Sequence, residues 1–375
     1  YYQSPERFLL LREAVRLLPH HHQNAPVSQM RQIAFTIAAS DENFLFLRTK
    51  IHVRPEAEDA QSVRLYAQKS GKIELADQYE HLAEKIEAVF QPTDLTPFLY
   101  KLAKQIKSSR LSLMLVQGAD DLKLEKDPFD RFKTAARLIA LLREFFSRVD
   151  KSMTMLSVMD ISILLEDEAF RLAADILGTL PGKSVAQSLG LLENCSDILY
   201  GTGLISDRQH KALKSRLTQT LIPGRNLGQF RSDLIYVSRV SDWSEQNLLF
   251  HFSKTIAHFQ NIEPVSERYV HDRLHSSLLL MYSSVLERLM KDNSRQIGLT
   301  NTIFGKQVAF GINGLNTGLA RGILRVPEPG QKLDLFLKDS ILVLPATISD
   351  LPPIAGIITA GRGNILSHVQ LLARN

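Results

Sequence analysis

One cysteine, Cys195, occurs in 375 residues. That excludes an internal disulfide and fits a reducing compartment, so the expected location is cytoplasmic. No apolar run approaches the ~20 residues that a membrane-spanning helix needs, and no membrane partner is expected. Dense basic stretches are missing as well. The net charge of +5 comes from 45 Lys and Arg interleaved with 40 Asp and Glu. Dispersed charge of this kind reads as a solvated surface, which argues against nucleic acid as a partner. Glycine is scarce over most of the chain, only nine of the 19 preceding Gly298. No fixed-period repeat recurs, so a solenoid is not supported. Gly305-Lys306 lacks the upstream glycines of a phosphate-binding P-loop.

What is present is helical periodicity. Asp127-Pro128 forms a cap and first turn, and Phe132, Ala136, Ile139, Leu142, Phe146 and Val149 follow at spacings of three and four. Similar patterns run through 5–18, 59–90, 160–178, 205–220, 242–260 and 266–291. Pro92–Pro97, Pro181-Gly182 and Pro223-Gly224 punctuate them. The length predicts two or three domains. Composition shifts near residue 297, after which ten glycines fall between Gly298 and Gly363. The expected organisation is a helical region over 1–297, a linker or hinge over 298–316, and an α/β domain over 317–375.

The most informative stretch is Gly361-Arg362-Gly363-Asn364-Ile365-Leu366-Ser367-His368, preceded by the strand-like Ala355-Gly356-Ile357-Ile358-Thr359. The pattern predicts a strand, a glycine-loosened loop and a helix opened by a Ser-His pair. The first N–H groups of a helix lack intrahelical partners and carry partial positive charge. A phosphoryl group is stabilised there. Gly361 and Gly363 let the backbone turn and admit a close approach. Ser367 suits the N-cap, and His368 would project as a nitrogen nucleophile.

This stretch resembles the phosphohistidine motif of the swivelling domain shared by pyruvate phosphate dikinase, phosphoenolpyruvate synthase and glucan water dikinase. In that superfamily a Thr ends a strand, a Gly-rich loop follows, and Ser-His or Cys-His opens a helix ending in Ala-Arg. Thr359, Gly361, Gly363, Ser367, His368, Ala373 and Arg374 match those elements. Upstream, Gly318-Leu319-Ala320-Arg321-Gly322 resembles the opening Gly-x-Ala-x-Gly of the same domain, and Ser340–Leu344 reads as a buried strand. Ser349-Asp350-Leu351-Pro352-Pro353 resembles the Asp/Pro segment after it. The likeness covers residues 314–375. Two departures lean towards the glucan water dikinase version. Thr359 precedes His368 by nine positions rather than eight, and Leu366 stands where the pyruvate-using enzymes carry a regulatory Thr.

The resemblance implies a mainly α region followed by a truncated swivelling domain, with His368 as phosphoryl carrier and Thr359, Gly361, Gly363 and Ser367 supporting the phosphate loop. It implies ATP and Mg²⁺, bound by an ATP-grasp domain outside this chain. The β-phosphoryl group passes to the histidine and then to an acceptor, pyruvate (or phosphoenolpyruvate in reverse) or a glucan. Residues 1–297 show no ATP-grasp signature, so that domain is expected beyond Asn375, and the chain reads as a fragment cut at both ends. The alternative is a non-catalytic helical scaffold whose degenerate C-terminal domain binds or regulates.

Other constellations draw blander expectations. His271 and His275 share a helix face at metal-binding spacing but lack the Glu of the metalloprotease motif, so a surface or interface pair is expected. His251 and His258 could share that face. His20-His21-His22 reads as a polar loop, Glu166-Asp167-Glu168 as a solvated acidic patch, and Cys195 as a buried thiol.

Overall fold

The computed structural model describes residues 7–16, 26–53, 55–90, 94–149, 151–220, 224, 226–298, 300–303, 306–310, 319–327, 338–344 and 353–359. They are mainly helical, with a small three-stranded parallel sheet near the end. The helices begin with α1 (Phe8–Arg16), α2 (Pro26–Ser40), α3 (Leu45–Val53), α4 (Asp59–Ser70) and α5 (Ala76–Phe90). They continue through α6 (Thr96–Gln105), α7 (Ser109–Leu124), α8 (Pro128–Phe145), α9 (Ser152–Thr179) and α10 (Val185–Gly201). The last are α11 (Asp207–Thr220), α12 (Leu227–Val237), α13 (Val240–Phe259), α14 (Tyr269–His275) and α15 (Leu279–Ile297). Among the described residues no helix is long and apolar enough to cross a membrane.

The anticipated start of α8 is borne out. The Asp127 carboxylate accepts from the backbone N–H of Phe129 at 2.8 Å and of Asp130 at 3.3 Å, and Pro128 fills the first turn where no intrahelical donor is needed. Phe132, Ala136, Ile139 and Leu142 are buried, as their spacing requires. The helix α8 packs against α9 and α10, and α9 also meets α1 and α6, so these long helices form the centre of the core. Burial on several faces explains the high apolar content of α9 and α10.

Two expected helices are each split. The 59–90 pattern breaks at Gly71, whose φ of 67° lies in the left-handed region and ends α4 before α5 begins. The 266–291 pattern divides into α14 and α15, with Ser277 turned so that its hydroxyl accepts from Leu279 N–H at 3.2 Å. Apolar spacing continues across both breaks and hides them from the sequence.

Within the segment expected as a linker, strands β1 (Thr300–Ile303) and β2 (Lys306–Phe310) pair antiparallel, Thr300 opposite Phe310. Strands β3 (Ile323–Arg325), β4 (Ser340–Leu344) and β5 (Gly356–Thr359) then form the parallel sheet in the order β3-β4-β5. The strand expected at Ser340–Leu344 has those bounds and lies centrally, with Leu342 and Leu344 buried.

Candidate functional site

The two motif-bearing segments meet in this sheet. Ile341 pairs with Gly356 and Leu344 with Thr359, so β4 and β5 finish together at their carboxyl ends. In open parallel sheets that edge is where loops gather ligands. Thr359 is the last residue of β5. Gly361, Gly363, Ser367 and His368 lie outside the described residues.

The upstream glycine pattern has a steric cause. A Cβ on Gly322 would sit 2.0 Å from the Asp339 carbonyl oxygen. That same oxygen accepts a 2.8 Å hydrogen bond from Ile323 N–H, which begins the β3–β4 pairing. Only glycine lets the two backbones approach so closely. On the other side of β4, Ala355 N–H donates to Ser340 oxygen at 3.0 Å. A Cβ on Gly356 would meet the Ala320 methyl at 3.4 Å, so the small residues of the two patches face each other across the sheet.

Comparison with protein-family models, with curated proteins and with solved structures finds no match.

The structure corrects two of the blander expectations. Glu166-Asp167-Glu168 is not a solvated patch: the side chains of Glu166 and Glu168 are buried, and Asp167 is half-buried with its Oδ2 closed to solvent. Glu166 Oε2 lies 2.6 Å from both Arg12 Nη2 and Arg16 Nη2, and its Oε1 lies 3.4 Å from Arg273 Nη2. Glu168 accepts from Arg131 at 2.9 Å and from Arg171 at 2.8 Å. Burial alone would raise the Glu166 pKa, but Arg12, Arg16 and Arg273 together hold it well below the usual carboxylate range. Asp167 goes the other way. Burial pushes it up to about 7, Arg16 opposes the shift, and the Glu166 charge adds to it. Arg12, Arg16 and Arg273 lie far away in the chain, and nothing at positions 166–168 signals them.

His271 and His275 are not a surface pair. His275 is 2 % exposed, and the His271 side chain is mostly covered. Both rings pack against His52 on α3, a residue that sequence reasoning did not single out. The only signal for this cluster was the four-residue spacing on α14. His251 and His258 lie on α13 and do not join the cluster's donor atoms, and His20, His21 and His22 lie outside the described residues. Cys195 is fully buried, as expected.

Proposed function

We propose that this chain is the carrier part of an ATP-dependent dikinase, holding a phosphoryl group on His368 and handing it to pyruvate or a glucan. The observation that carries this reading is the parallel β3-β4-β5 sheet. It sets β3, which directly follows Gly322, and β5, which ends in Thr359, on either side of Ser340–Leu344. The steric need for glycine at 322 supports it, because that glycine belongs to the motif read from the sequence.

In this reading ATP and Mg²⁺ are held by a separate ATP-grasp domain. Neutral His368 imidazole would attack the β-phosphorus and break its bond to the α–β bridging oxygen, releasing AMP and leaving a pyrophosphoryl group on the histidine; water attacking the γ-phosphorus would then break the β–γ bond, releasing inorganic phosphate and leaving the β-phosphoryl group on His368. Mg²⁺ supplies charge neutralisation on the phosphate oxygens. The phosphohistidine then meets its acceptor at a separate site. The nine-residue interval from Thr359 to His368 and the apolar Leu366 favour glucan over pyruvate.

The test is to incubate the full-length polypeptide with Mg²⁺ and ATP labelled at either the β- or the γ-phosphate. Acid-labile protein label from the β position alone is expected, and His368→Ala abolishes it. Label from neither position on folded protein would favour the scaffold reading instead.

A further inference from the structure

A second site lies in the helical region, where α3 meets α14. His52 stands in the last turn of α3, while His271 and Asp272 stand on α14. One donor atom from each of these three side chains falls within 4.8 Å of the other two. The rings of His52 and His271 are parallel to within 4°, with centroids 6.2 Å apart. Asp272 brings its Oδ1 to 3.5 Å from His271 Nδ1. The His275 ring packs 4.2 Å from that of His271 and 5.2 Å from that of His52.

We propose that His52, His271 and Asp272 bind a borderline divalent transition cation, Zn²⁺ being the best chemical fit. Two imidazoles and one carboxylate form a donor set that zinc accepts, leaving a further coordination position. A tetrahedral ion with Zn–N bonds of about 2.0–2.1 Å holds its donors roughly 3.4 Å apart. The donors, now within 4.8 Å of one another, would close by at most about 1.4 Å to reach that spacing. Burial grades across the site: His52 is buried, His271 is partly covered and Asp272 is exposed. An ion thus has a covered floor and an entry path on the Asp272 side. His275, packed against both rings, positions them without belonging to the converging trio.

Arg31 limits the choice of ion. Its Nη2 donates to the His52 carbonyl oxygen at 3.0 Å. A guanidinium this close to His52 disfavours hard ions that need several acidic ligands, such as Ca²⁺. Imidazole-liganded ions depend less on carboxylate charge. Bound here, the ion ties α3 to α14 across 219 positions of sequence, from His52 to His271. Since the unfolded chain holds no such site, binding raises the thermal midpoint.

The experiment uses the chain stripped of metal with EDTA and desalted, with His20, His21 and His22 replaced by Ala, because adjacent histidines bind such ions without a fold. Co²⁺ is titrated while the visible absorption of a tetrahedral site is followed, then displaced with Zn²⁺, and thermal midpoints are recorded with Zn²⁺ and with EDTA. Expected are Co²⁺ bands, a Zn²⁺-dependent rise in midpoint, and affinity about tenfold or more weaker in Asp272→Asn and His271→Gln. His81→Ala, at an exposed histidine elsewhere, is expected to leave the affinity unchanged. Absence of Co²⁺ absorption and of a Zn²⁺ shift on folded protein would overturn the proposal. So would equal affinities in Asp272→Asn, His271→Gln and His81→Ala.

Discussion

Arg273 Nε and Glu13 Oε1 lie 2.9 Å apart although 260 positions of sequence separate them. The contact closes α14 onto α1, and Arg273 also reaches Glu166 on α9. Arg12 donates further to the Ser162 hydroxyl at 3.3 Å and to its carbonyl at 3.1 Å. A buried charge network of this kind gains little over apolar packing while intact, but removing one member leaves the others uncompensated.

Glu166→Gln is therefore expected to cost about 3–5 kcal/mol of stability, read as a lower denaturation midpoint. The pH dependence follows from the depressed carboxyl. Its folded pKa lies below the unfolded value near 4.5, so its contribution is present above that value and lost as pH falls. Thermal midpoints recorded downwards from neutral pH should fall less steeply in the variant than in the wild type.

Asp167 has the opposite sign. Its folded pKa of about 7 lies above the unfolded 3.8, so stability is lost as pH rises through that window. Asp167→Asn should be near neutral at about pH 4 and stabilising by on the order of 2 kcal/mol at about pH 8, its partial exposure reducing the full effect. Urea denaturation at the two pH values separates this from a general packing change.

Gly322→Ala should break the β3–β4 pairing, since the added methyl meets the Asp339 carbonyl. The main helices have no part in that contact. Hydrogen exchange is expected to rise in residues 323–325 and 340–344 while α8, α9 and α10 keep their protection. The histidine phosphorylation proposed for His368 should fall with the sheet.

Local rules made part of this fold legible. The Asp127 cap, the spaced apolar residues of α8 and the apolar run of β4 are local signals, and each element lies where it was expected. Gly322 was legible for the same reason, since glycine is required there by one backbone contact nearby. Tertiary charge pairing was not. Glu166 reads as solvated because a run of three acidic residues normally is, and only the fold brings Arg12, Arg16 and Arg273 to it. His52 was missed because a lone histidine in a helix carries no mark of partners on α14. The β1–β2 hairpin falls in a stretch whose glycines and asparagines read as a linker, and its strands are only four and five residues long.

Cys195 should resist thiol reagents in the native state. Burial pushes its thiol well above the ordinary range, with the Asp197 charge adding to the shift. Ellman's reagent is expected to give no fast reaction with native protein and one thiol per chain in denaturant.

The proposed carrier role of His368 is most directly tested by peptide mapping of the full-length polypeptide after incubation with Mg²⁺ and ATP, kept alkaline to preserve phosphohistidine. A single phosphoryl group is expected on the peptide containing Ser367 and His368, fragmenting to His368 and absent from His368→Ala. Phosphate on any other residue, or none on folded protein with ATP bound, would contradict it.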